Sequence, residues 1–172
     1  MDTEADTCRK EIVPKLVKAG WDNAPHAINE QRTFTDGRIV FVGGKARRGR
    51  QKRADFILRY RADFPIAVVE AKSKYKHAAD GLQQAREYAE ILGLKFAYST
   101  NGREIVEIDY TTGLERELSS YPSPEELWAR LSATEEITPE IKEHLLSPTY
   151  PDKSKPLRYY QEIAVNRAVQ AV

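Results

Sequence analysis

The chain is nearly empty of thiol and imidazole. Of its 172 residues, one is cysteine (Cys8) and three are histidine (His26, His77, His144). A single cysteine excludes an internal disulfide and any multi-cysteine metal cluster. Three scattered histidines with no tight His/Cys spacing argue against a structural zinc site. No apolar run approaches the roughly 18 residues of a membrane span. The first residues are acidic and polar, unlike a signal peptide. No Gly-x-x-x-x-Gly-Lys-Ser/Thr phosphate loop is present, so this stretch is not expected to bind ATP. There is no internal repeat. Excess charge of either sign is missing too: 27 Lys and Arg against 26 Asp and Glu leave +1. Only the local distribution of charge can point to a nucleic-acid partner. A soluble, reducing, cytoplasmic setting is the simplest reading of these absences.

What is present suits one domain of ordinary size with a tail, and a hydrophobic fraction of 41% supports a real core. Apolar positions Ile12, Val13, Leu16, Val17 and Ala19 predict a helix over 4–19 stopped by Gly20, with Pro14 as a kink or a restart. Short strands are expected at 28–32 and 38–42, separated by the Asp36-Gly37 turn signal. Between Lys45 and Arg53, six of nine residues are basic: Lys45, Arg47, Arg48, Arg50, Lys52 and Arg53. The segment reads either as a pliable solvated loop or as a phosphate-contacting one. Its direct run into Asp55 favours the second.

The stretch from Asp55 to Lys72 organises the rest. Ala54-Asp55-Phe56-Ile57-Leu58 and Ile66-Ala67-Val68-Val69-Glu70-Ala71-Lys72 read as adjacent strands joined by a polar Arg59–Pro65 hairpin loop. Side-chain alternation puts Glu70 and Lys72 on one face. Two carboxylates at the end of a greasy sheet are costly to desolvate unless they pair or bind metal. Magnesium suits such a pair, because it takes hard oxygens and keeps several waters. Asp55, Glu70 and the Ala71 backbone carbonyl are the candidate metal ligands, and Lys72 can orient water or neutralise charge. A basic turn follows (Lys74, Tyr75, Lys76, His77), whose lysines are candidates for backbone contact.

A helix is expected over 78–92, stopped by Gly93, with Gln84 and Tyr88 one above the other beside its apolar stripe. Strands at 95–100 and 104–109 flank the turn signal Asn101-Gly102. Ser123-Pro124-Glu125-Glu126 opens a helix to about Leu131, and Thr138-Pro139 opens another to about Leu146. Residues 147–156 read as a linker, and the last residues as the first helix of something further.

Asp55, Glu70-Ala71-Lys72 and Gln84-Ala85-Arg86-Glu87-Tyr88 resemble the PD-(D/E)xK nuclease superfamily, in the branch with a Gln-x-x-x-Tyr motif; Ala54 stands where the name has proline. Thr3-Glu4-Ala5-Asp6-Thr7, Lys18-Ala19-Gly20-Trp21, Ser99-Thr100-Asn101-Gly102 and Pro122-Ser123-Pro124-Glu125-Glu126-Leu127-Trp128 extend the match. They resemble the nuclease domain of the restriction (R) subunits of type I restriction–modification enzymes. The resemblance implies an α/β fold, a mixed central sheet flanked by helices with a C-terminal helical extension and the metal site at one sheet edge. It implies an endonuclease domain over 1–146, with a core of about 1–118 and an extension of about 123–146. Residues 147–172 would be the linker and first helix of a translocase, where Gln161 would contact adenine.

The implied activity is Mg²⁺-dependent cleavage of double-stranded DNA, with Mn²⁺ able to substitute and ATP used only by the full-length protein. Methyltransferase and specificity subunits are the implied partners. Catalytic roles fall to Asp55, Glu70 and Lys72, supporting roles to Gln84 and Tyr88, and an acidic position facing the metal to Glu4, which can equally stabilise its own helix start. Two other readings remain. A stand-alone nuclease or resolvase is opposed by the C-terminal tail. A non-catalytic DNA-binding or assembly module is opposed by the intact Asp55/Glu70/Lys72 set.

Overall fold

Thr3 opens the first helix, α1 (Glu4–Thr7): its hydroxyl accepts the Asp6 N–H, and the Asp6 carboxylate accepts the Thr3 N–H. The single helix expected over 4–19 is instead α1, a π-helical turn over Cys8–Ile12, and α2 (Val13–Lys18). Pro14 is the physical reason. The widened turn closes with the Val13 N–H on the Cys8 carbonyl. Pro14 then lies in the first turn of α2, where a missing N–H is tolerated. The computed structural model describes residues 3–34, 39–42, 45–48, 51–146, 161 and 164, with the backbone alone for 39–42 and 45–48.

Among the described residues, eight strands follow in chain order: β1 (Ala27–Phe34), β2 (Ile39–Val42), β3 (Lys45–Arg48), β4 (Lys52–Arg61), β5 (Phe64–Ala71), β6 (Phe96–Thr100), β7 (Ile105–Asp109) and β8 (Leu114–Leu118). Six form one sheet in the order β1-β4-β5-β6-β7-β8. Every neighbouring pair is antiparallel except β5 and β6. That parallel pair requires a crossover, and α3 (Leu82–Leu92) supplies it, behind a 3₁₀ turn at Ala78–Gly81. Gly93, in a left-handed conformation at φ +70°, closes α3. α4 (Pro124–Thr134), capped by Ser123 and Glu126, and α5 (Pro139–Leu146) complete the described fold. The mixed sheet flanked by helices is the α/β architecture expected.

Several local expectations are corrected. Lys45–Arg48 is not loop; it pairs antiparallel with Ile39–Val42 as a separate two-stranded ribbon. The extended preference of the β-branched residues opposite explains this. The Asp36-Gly37 turn lies outside the described residues. The Arg59–Pro65 loop shrinks to Ala62 and Asp63, because both strands run on. Arg59 is buried in that extension, bonding Asn29 and the Ala62 carbonyl, and a register shift lets Pro65 sit in the strand. Edge strand β8 was not foreseen. Its Leu-Glu-Arg-Glu-Leu is largely exposed and charged, a composition that blunts edges but hides the strand from pattern reading.

The sheet is covered on both faces. Ile57, Val68 and Ala97 pack with Ala85, Ala89 and Leu92 of α3. Leu58, Val69 and Tyr98 pack with Ile12, Leu16, Leu127 and Trp128 from the N-terminal helices and α4. One buried polar cluster is structural. Glu107, fully buried, accepts from both terminal nitrogens of Arg130, from Arg116 Nε and from the Tyr98 hydroxyl. Arg130 also bonds Asp109 at 2.6 Å. Arg130→Ala should lower stability on the order of 3 kcal/mol by stranding Glu107, read as a drop in the urea midpoint; an unchanged midpoint would show Arg116 suffices alone.

Candidate active site

Asp55 lies early in β4 and Glu70 near the end of β5, so the hairpin brings two distant acids to one end of the sheet. The register Phe56 with Val69 sets this proximity. β4 and β5 are internal strands, second and third in the sheet order, and the two acids lie at one end of them. Both acids are buried, Asp55 at 8% and Glu70 at 3% exposure. Asp55 Oδ2 accepts the Ala71 N–H at 2.8 Å, and Asp55 Oδ1 accepts from Gln31 Nε2 at 3.2 Å. Glu70 Oε1 accepts from Lys72 Nζ at 2.9 Å. Glu70 Oε2 is buried without a hydrogen-bond partner among the described residues.

Lys72 is held twice, since its Nζ also donates to Gln84 Oε1 at 3.0 Å. Gln84 passes the chain on: its Nε2 donates to the Tyr88 hydroxyl at 2.7 Å. Tyr88 is 5% exposed and meets Phe34 edge-on at 5.1 Å between ring centroids. The Gln-x-x-x-Tyr pair is therefore a strut from core to lysine, with Tyr88 more deeply buried than a helix flank suggests. Lys72, Gln84 and Tyr88 thus converge with Glu70, and Glu70 with Asp55.

An open cleft of about 700 Å³ runs past this constellation, lined by Asp55, Glu70, Gln84 and Tyr88 and by Glu4, Lys52 and Arg53 among others. Glu4 is exposed on its wall. Lys52 is ion-paired to Glu87, and Arg53 is exposed. Of the remaining basic positions, Lys45, Arg47 and Arg48 lie on β3, and Arg50 is outside the described residues. Lys74 and Lys76 sit in the turn after Lys72, beside Tyr75, which is 59% exposed. The turn is tied to α1, where the Thr7 hydroxyl accepts the Lys74 N–H at 3.3 Å. Gln161 is helical and exposed. His77, exposed, caps the 3₁₀ turn.

The field in the cleft is negative. Burial first, then the Asp55 charge, push the Glu70 carboxyl up to about 7, against the opposing Lys72 bond. Burial would lower Lys72, but its hydrogen bond to Glu70 and the charges of Glu70, Glu4 and Asp55 outweigh it and hold the ammonium above its ordinary value. Burial and the same acids push the Cys8 thiol up to about 12. Such a field awaits a cation. Among the described residues no three His, Cys, Asp or Glu side chains form a metal cage. A cation here would take few protein ligands and fill its shell with water and substrate oxygen, as magnesium does. The orphaned Glu70 Oε2 fits that role.

Sequence reading missed Gln31, which belongs to no motif and reaches Asp55 only because β1 pairs with β4. It also missed Gly81, which has no local signal. A Cβ there would stand 2.2 Å from Ser99 Oγ, 3.0 Å from Lys72 Cε and 3.4 Å from Glu70 Cγ.

The structure is a mixed six-stranded α/β sheet flanked by helices that brings the Asp, Glu-x-Lys and Gln-x-x-x-Tyr residues to one cleft. No family model matches the chain. The type I restriction enzyme EcoAI endonuclease subunit of Escherichia coli is 35% identical over 177 residues, spanning 99% of this chain but 22% of its own length. A solved fragment of an HsdR subunit of a type I restriction enzyme from Vibrio vulnificus YJ016 is 58% identical, with a TM-score of 0.86, over 99% of this chain and 32% of that one. The homologues of this chain are thus named as type I restriction enzyme endonuclease (HsdR) subunits. The chain spans about a fifth of the curated relative and a third of the solved one.

Glu70 gives a pH-dependent stability. Its folded value of about 7 stands above the unfolded 4.5, so its contribution is full below 4.5 and lost as pH rises through 7. Glu70→Gln should therefore melt higher than wild type at pH 8, by up to the order of 3 kcal/mol, with the gap closing near pH 4. Thermal melts across that range, without divalent metal, decide it; a constant gap contradicts the assignment.

Proposed function

We propose that this chain is the endonuclease domain of a type I restriction enzyme R subunit, hydrolysing phosphodiester bonds of double-stranded DNA with Mg²⁺ and no sequence readout of its own. One observation carries the reading: a buried carboxylate pair, one of whose oxygens has no partner among the described residues, beside a lysine braced by Glu70 and Gln84. Asp55, Glu70 and the Ala71 carbonyl would hold the cation. When bound, it would polarise the scissile phosphate and acidify a water. Lys72 stays charged, because the neighbouring carboxylates raise its pKa. It therefore acts as a fixed cation rather than a base, orienting the attacking water or neutralising charge on the phosphate. Gln84 sets the height of Lys72 over Glu70, and Tyr88 anchors Gln84. Lys52, Arg53, Lys74 and Lys76 supply phosphate contacts along the cleft, and the β3 basic residues extend them.

Residues 1–146 form the nuclease unit, and 147–172 lead into the motor part of a longer subunit, where Gln161 serves adenine recognition. ATP-driven translocation, methyltransferase and specificity subunits and a cytoplasmic setting belong to that larger assembly. Among the described residues no helix is long and apolar enough to cross a membrane.

Calorimetric titration of Mn²⁺ should give a site in the wild-type chain that Asp55→Ala abolishes; equal binding by both would sink the assignment. In a full-length subunit, Lys72→Ala should reduce DNA cleavage at least about a hundredfold while ATP hydrolysis continues. Cleavage that survives would remove Lys72 from the mechanism.

A further inference from the structure

Among the described strand residues, Gln31 alone has a left-handed backbone, at φ +52°. A non-glycine residue stores strain in that conformation, and such strain collects at functional sites. Burial does not compensate it, because Gln31 is exposed. The ladder around it stays in register: Glu30 pairs with Phe56 and Arg32 with Ala54. Gln31 and Asp55 occupy the step between those two pairs, where the ladder itself skips a pair. Opposed residues of an antiparallel pair share a face, and Gln31 Nε2 donates to Asp55 Oδ1 at 3.2 Å.

The other Asp55 oxygen is held at 2.8 Å by the Ala71 N–H, from the strand on the opposite side. A carboxylate on a short stem can turn about its own bond. Two donors from two flanking strands fix its plane. Among the described residues, each oxygen then keeps one lone pair uncommitted.

We propose that Gln31 is a positioning residue for the nuclease site: its amide, presented across the β1–β4 ladder by a left-handed backbone, orients the Asp55 carboxylate toward a divalent cation shared with Glu70. This rests on the functional reading above. Gln31 touches neither substrate nor metal and acts through Asp55, as outer partners of metal ligands do.

Two variants of the 172-residue chain separate this from a fold-keeping role. Gln31→Ala removes the amide and keeps the strained Cβ; Gln31→Gly removes the amide and relieves the strain. Thermal melts should rank Gln31→Gly above Gln31→Ala. Mn²⁺ titrated calorimetrically should bind both about tenfold more weakly than wild type, and equally so, despite their different stabilities. Binding within about twofold of wild type in either variant, or affinity that follows melting temperature across the pair, would overturn the inference. A wild-type chain that takes up no Mn²⁺ even with duplex DNA overturns the nuclease reading as well, which distinguishes the two failures.

Discussion

The bond from the Ala71 N–H to Asp55 Oδ2 is the constraint on which the site depends. It joins the start of β4 to the end of β5, just where the hairpin's own ladder gives way, and does so inside the sheet rather than on its rim. A buried carboxylate is tolerable when backbone N–H groups donate hydrogen bonds to it. With Asp55 fixed, Glu70 is committed one residue before Ala71 on the same strand. The two acids cannot separate without breaking the register of a strand that is buried along its whole length.

The same sheet shows what a buried carboxylate looks like when structure alone is served. Glu107 is fully enclosed, yet Arg130, Arg116 and Tyr98 saturate it, and these bonds overcome burial to hold its carboxyl below the ordinary value. Glu70 is buried almost as deeply, with Lys72 on one oxygen and no described partner on the other, and its carboxyl is raised. Folding has solved the identical electrostatic problem completely in one place and half-solved it in the other. The difference lies in the partners. Glu107 faces two guanidiniums and the Tyr98 hydroxyl, whose four bonds leave no lone pair for a ligand, whereas Glu70 faces one ammonium that is itself shared with Gln84. Unfinished satisfaction of this kind is a physical mark of a binding site.

Most of the constellation was legible from residues close in sequence. Asp55, Glu70 and Lys72 show as charges on apolar strands, and Gln84 and Tyr88 as a helical pair. The strands carrying them have the Ile, Val and Phe content that announces buried sheet. What was not legible depends on pairing at a distance. Gln31 gains its role from β1 lying against β4, which no local pattern states, and its left-handed backbone belongs to a residue type with no such habit. Placing the acids on internal strands required the full strand order. Lys45–Arg48 reads as a mobile basic loop because charge masks extended structure, and β8 is hidden for the same reason. The π-turn before Pro14 follows from a known difficulty, but whether the chain answers it with a widened turn or a break is not written in the local pattern.

The helix that braces Lys72 works only at close range, and Gly81 sets that range. Lys72 directly follows β5 and Gln84 lies in the first turn of α3, so between them the chain must fold back over the strand end within twelve residues. The 3₁₀ turn at Ala78–Gly81 does this by lying on β6, where Ser99 Oγ donates to the Ala78 carbonyl at 2.5 Å. A methyl group at position 81 would meet that same oxygen at 2.2 Å and press on Lys72 Cε at 3.0 Å. Ser99 is fully buried and bound, so it cannot yield cheaply. The need at Gly81 is therefore steric, not conformational, since its φ of −95° is open to any residue. It explains how a glutamine and a tyrosine on a helix can serve two acids on a sheet: the 3₁₀ turn that leads into α3 meets the sheet at a position with no side chain, and the Lys72 stem lies against that position.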